Sequence, residues 1–134
     1  MKFRKFRQNK LWRDKAVDMM EQNHDSHIHW HYLDDHEFDK QIRIKLLEEA
    51  EEVVVSKSKS ELVGELADLF EVIDSLMSLH DITKDAIITA QNKKRQERGG
   101  FEGRKFVTVA EHPVDSFGEK YCLADPEKYP EIIE

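Results

Sequence analysis

Between residues 36 and 79 the apolar positions fall at helical spacing. From about His36 to Val55, the residues Phe38, Ile42, Leu46, Ala50 and Val53 form one stripe, and Asp34 or Asp35 can cap its start. The β-branched run Val53–Val55 lowers helix propensity and predicts an end nearby. Ser58 followed by Glu61 is a capping-box pattern. A second helix is therefore expected to begin there and end near Leu79. Leu62, Leu66, Leu69, Ile73 and Leu76 form its seam, which Phe70 and Met77 widen. Gly64 costs roughly 1 kcal/mol relative to alanine inside that helix. Close packing beside Glu65 and plain exposure to solvent would each explain it. The Ser/Lys-rich break between the two stripes predicts an antiparallel hairpin.

The flanks are less regular. Residues 1–9 are basic with two phenylalanines and read as an arm whose order depends on docking. Leu11 to about Gln22 is expected to be helical, because Leu11, Ala16, Met19 and Met20 approximate a stripe. Ile28, Trp30 and Tyr32 then alternate with His27, His29 and His31, a period of two that predicts a short strand. Three histidines on one strand face could hold a transition metal. No cysteine or second histidine pair stands at ligand spacing, so exposed strand histidines are the preferred reading. Thr83 is expected to cap a fourth helix that runs to about Arg98, where Gly99 supplies the left-handed residue that ends it. Lys105–Val109 reads as a second strand, able to pair with residues 27–32 and satisfy both backbones. From Glu111 onward the chain is expected to be an irregular tail, anchored in part by Phe117, Tyr121 and Tyr129.

Composition narrows the class. The 134 residues suit one domain, here drawn as residues 1–110 with the tail 111–134. The formal net charge of −7 argues against binding a nucleic-acid polymer or an anionic membrane. A single cysteine, Cys122, permits no intrachain disulfide and suits a reducing, cytoplasmic setting. No apolar run approaches the roughly 18 residues of a membrane span.

Candidate chemistry lies around the break. Glu48, Glu49 and Glu52 precede it, and Glu65 and Asp68 follow it. Residues three or four apart share a helix face. Glu49 with Glu52, and Glu65 with Asp68, therefore make two carboxylate steps that a hairpin can point into one gap. Such a cluster repels itself and raises its own pKa values, and a hard cation relieves it. Oxygen-only ligands suit Mg²⁺, with Mn²⁺ a substitute. A solvated acidic face is the plain alternative. Two paired steps, each interleaved with apolar residues, favour the metal. Near the end of the fourth helix, Lys93, Lys94, Arg95 and Arg98 complement the helix dipole. Lys94 and Arg98 also share a face in an otherwise acidic chain.

With these residues in place, the chain resembles the MazG-like all-α nucleoside-triphosphate pyrophosphohydrolases. Their signature, E-E-x-x-E, a spacer, then E-x-x-D, is met by Glu48, Glu49, Glu52, Glu65 and Asp68. A downstream N-x-K-x-x-x-R element is met by Asn92, Lys94 and Arg98. The opening NKLWRDK and the RGGF at Arg98–Phe101 resemble a small single-domain branch of house-cleaning enzymes. The similarity covers about residues 9–107; Trp12, the His-rich stretch and the tail depart from it.

The resemblance implies an all-α bundle built on the hairpin and completed by dimerisation or a higher even-numbered assembly. It implies Mg²⁺-dependent hydrolysis of a nucleoside triphosphate, canonical or not, to monophosphate and pyrophosphate. Glu49, Glu52, Glu65 and Asp68 would hold the metal. Glu48 would add a ligand or orient water. Lys94 and Arg98 would meet phosphate and act in catalysis. Asn92 would contact phosphate or nucleoside, and Lys15, matched together with Asp14, would bind substrate. Phosphoribosyl-ATP or one pyrimidine deoxynucleotide is the alternative substrate within the superfamily. A helical interaction module without turnover is the alternative outside it.

Overall fold

A computed structural model describes residues 1–134 and contains five helices and no strand. They are α1 (Ala16–His24), α2 (Asp35–Val55), α3 (Lys59–Leu79), α4 (Lys84–Arg98) and α5 (Phe117–Leu123). Two compact units divide the chain, Met1–Lys94 and Arg95–Glu134.

In the first unit, α2 and α3 pack on each other as an antiparallel hairpin. The side chain of Asp34 accepts a hydrogen bond of 2.8 Å from the Glu37 N–H and starts α2. Ser58 caps α3 through the Glu61 N–H at 3.1 Å, and the Glu61 carboxylate accepts from the Lys57 N–H at 2.8 Å. That exchange satisfies donors a helix start otherwise leaves unpaired. Ile42 and Val72 are the buried centre of the hairpin. Phe38, Leu46 and Val53 of the expected stripe are half-buried around them, with Leu69, Ile73 and Leu76 opposite. Gly64 faces open space, so solvent exposure explains it. The α1 helix starts later than its pattern suggested, at Ala16. Leu11 and Trp12 are half-buried ahead of it in non-helical chain. Thr83 accepts from the Ala86 N–H at 3.2 Å at the start of α4. Gly99 follows the helix at φ 80°, its N–H donating to the Arg95 carbonyl, as its position predicted.

The expected two-stranded β element is absent. Residues 27–32 and 105–109 form no ladder. Period-two alternation describes side chains only, whereas a strand also needs a partner for its backbone. Local contacts take the place of pairing in the first segment. The Ile28 N–H donates to Glu21, Phe3 stacks on His27 at 4.4 Å, and Trp30 meets Tyr32 edge-on at 4.9 Å.

Within the second unit, the stretch 111–134, expected to be an irregular tail, carries α5. Ser116 accepts from the Glu119 N–H at 3.3 Å, and the Glu119 carboxylate accepts from the Asp115 N–H at 3.2 Å. Ser116 and Glu119 repeat the Ser58–Glu61 pattern, so the sequence carries the signal for this helix start. Tyr121 lies between Phe117 and Tyr129, and Arg95 pairs with Glu102.

Candidate metal centre

The hairpin brings Glu49 of α2 together with Glu65 and Asp68 of α3. One carboxylate oxygen from each lies within 4.8 Å of the other two. Helical spacing places Glu65 and Asp68 on one face, and the antiparallel return of α3 sets that face against Glu49. All three are half-buried. An octahedral ion with oxygen ligands at 2.0–2.1 Å holds them about 3.0–4.2 Å apart. Separations of up to 4.8 Å in the observed group are close to those such an ion sets. The donors are all carboxylate, a set that fits a hard divalent cation and offers nothing to a soft one.

Electrostatics mark the same place. The Glu65 carboxyl is pushed above its ordinary value, first by burial and then by the charges of Glu52, Asp68, Glu49 and Glu61. Glu52 therefore lies within the field of the group, although it is exposed and stands outside the three-oxygen cluster. Glu48 points elsewhere. It accepts from Lys10 at 3.3 Å and from Lys45 at 3.4 Å. Burial works to raise its pKa, but those two ammonium groups prevail and hold it below the usual range.

Three cations border the carboxylates. Lys45 lies 3.6 Å from Glu49 as well as contacting Glu48. Lys10 contacts Glu48, and the Arg13 guanidinium donates to Asp68 Oδ1 at 2.7 Å. Lys45 stands four residues before Glu49, so helical spacing could have found it. Lys10 and Arg13 belong to the NKLWRDK stretch but reach the hairpin from distant sequence, and helical spacing does not place them beside these carboxylates. Lys15 is exposed at the start of α1 and makes no capping hydrogen bond through its side chain. Asn92 and Lys94 are exposed on α4 in the first unit, and Arg98 ends that helix within the second.

Residues 14–95 match the family model described as phosphoribosyl-ATP pyrophosphohydrolase. No curated protein and no solved structure matches the chain. The matched span contains α1, α2, α3 and most of α4. All five signature carboxylates fall inside it, with Lys15, Asn92 and Lys94; Arg98 lies just beyond.

Proposed function

The chain belongs to the phosphoribosyl-ATP pyrophosphohydrolase family, within the MazG-like all-α superfamily, and from that premise we propose that it hydrolyses the α–β phosphoanhydride bond of a nucleoside triphosphate. The family is one of hydrolases acting on acid anhydrides. The single observation that carries the proposal is the convergence of Glu49, Glu65 and Asp68 across the hairpin, inside the matched span. Phosphoribosyl-ATP is the substrate that the family match favours over a general or damaged nucleoside triphosphate. The products are then phosphoribosyl-AMP and pyrophosphate.

Glu49, Glu65 and Asp68 would hold the divalent cation, with Glu52 completing their negative field. When bound, Mg²⁺ supplies Lewis acidity and a template for in-line attack by water. The protein does the rest by placement. The carboxylates repel a bare polyanion, so the phosphate chain would reach them only with the cation bound. Glu48, held anionic by Lys10 and Lys45, is a poor base and serves to orient water or ligands. Lys94 and Arg98 stabilise charge on the transferring group, Asn92 contacts phosphate or nucleoside, and Lys15 adds a further substrate contact. Lys94→Ala and Arg98→Ala should each cost on the order of 2–4 kcal/mol of transition-state stabilisation, the scale of a lost oxyanion donor. Their circular-dichroism melts should match wild type.

The deciding experiment is pyrophosphate release with Mg²⁺ from phosphoribosyl-ATP beside the canonical, oxidised, deaminated and methylated nucleotides. Highest kcat/KM on phosphoribosyl-ATP is the expected outcome. Preference for a modified nucleotide would reassign the substrate, and release from none of them would sink the enzyme reading.

A dimer or higher even-numbered assembly belongs to the same proposal. Leu47, Val54, Val55, Val63 and Phe70 of the hairpin are 61–81% exposed. An apolar surface of this extent suits an interface better than water. Light scattering should report an even-numbered oligomer at micromolar concentration; a fully active monomer overturns it.

A further inference from the structure

The cations in contact with the signature carboxylates include two that come from the segment ahead of α1. Lys10 contacts Glu48, and Arg13 contacts Asp68, so the segment is fixed to both helices of the hairpin. Between them Leu11 and Trp12 are half-buried, which anchors the backbone while leaving both charged heads free to turn. Arg13 is 61% exposed and Asp68 44%. An exposed ion pair of this kind is weak and exchangeable.

From this geometry we infer that Arg13 is a substrate-positioning cation that exchanges partners, leaving the Asp68 carboxylate for the phosphate chain when the divalent ion arrives. The inference rests on the metal-site reading above. Without metal, three carboxylates crowd together and Arg13 neutralises the one it touches. An ion that takes Asp68 competes with the guanidinium for that carboxylate, and it also repels the guanidinium as a like charge. Arg13 is then displaced but stays tethered by Leu11 and Trp12, within a side chain's reach of the ion. The phosphates that accompany the ion are the strongest acceptors available there. A guanidinium meets phosphate oxygens in a bidentate fork. Arg13 thus opposes metal binding alone and favours the binding of metal with polyphosphate.

Opposite effects on two ligands make the idea testable. Mn²⁺ affinity is measured by electron paramagnetic resonance on wild type, Arg13→Gln and Arg43→Gln. Binding of inorganic tripolyphosphate in saturating Mn²⁺ follows by calorimetry. Arg43 pairs with Asp39 at 3.1 Å, so Arg43→Gln removes one arginine charge from the hairpin, away from the site. Arg13→Gln should bind Mn²⁺ about two- to fivefold more tightly, the weight of an exposed ion pair. It should bind tripolyphosphate about tenfold or more weakly, the weight of a charge-assisted hydrogen bond. Arg43→Gln should do neither. If Arg13→Gln tracks Arg43→Gln on either ligand, or if wild type binds Mn²⁺ but no tripolyphosphate, the exchange is wrong. Wild type that binds no Mn²⁺ instead overturns the metal site itself.

Discussion

The two halves of the α2–α3 hairpin handle charge in opposite ways. At the open end, Asp39 of α2 meets His80, just past α3, at 2.6 Å and also accepts from Arg43 at 3.1 Å. A hydrogen bond joins the helices there, and Arg43 offers Asp39 an unlike charge within α2. Nearer the loop, Glu49, Glu65 and Asp68 bring like charges together across the same interface. The pKa directions follow. The Asp39 carboxyl is lowered, chiefly by its hydrogen bond with His80, whereas that of Glu65 is raised by burial and by neighbouring carboxylates. An interface built only for stability would resemble the open end throughout. On the function proposed above, the loop half would give up stability for a site that takes a ligand, a trade common at active sites.

The sharpest way to break this comparison is to remove a charge from the crowded half. Asp68→Asn and Glu65→Gln should each lower pyrophosphate release by two or more orders of magnitude in a steady-state assay, if the carboxylates hold a catalytic ion. Near-wild-type turnover in both would reduce the cluster to an acidic surface.

Metal should erase part of the difference between the halves. Wild type should gain on the order of 10 °C in melting temperature at a hundredfold excess of Mg²⁺ over its dissociation constant, because the ion binds only folded protein. Glu65→Gln should gain clearly less. A melting series with Mg²⁺ and with chelator measures both, and equal gains would place the ion elsewhere.

In chelator the order should invert, with Glu65→Gln melting above wild type at pH 7. A carboxyl whose pKa is raised on folding costs nothing below its unfolded value, near 4.5, where both states are protonated. The cost grows as pH rises through that value and is complete above the folded one. The advantage of the variant should therefore shrink as pH falls toward 4.5. Asp68 suits this test less well, since its removal also frees Arg13.

The smallest effect belongs to the open end and has the opposite sign. Asp39→Asn should melt slightly below wild type at neutral pH. A lowered carboxyl contributes its stability fully above the unfolded value of 3.8 and loses it as pH falls through the folded one. The deficit should therefore persist down to about that pH and close only below it. Equal melting of Asp39→Asn and wild type at neutral pH would mean that the Asp39 contacts contribute nothing to this end.

Local pattern was enough for α2, α3 and α4. Caps at Asp34, Ser58 and Thr83 and the glycine at position 99 act within a few residues of themselves, so the sequence set the limits of α2, α3 and α4 closely. The same reasoning marked Glu65 and Asp68 as one face, because helical spacing alone decides that. It failed where structure requires a distant partner. The alternation at residues 27–32 met the side-chain half of a strand's requirements, but no second strand pairs with it. Five acids also carried the same signature in sequence, yet only the crossing of α2 and α3 separated them. Three converge, Glu52 stays at the edge, and Glu48 turns toward Lys10 and Lys45. Arg13 on Asp68 was beyond any reading of the chain in order, since the two are 55 residues apart. Spacing fixes which side chains share a face, while the direction a face points, and the charge that answers it, are decided by how the helices pack.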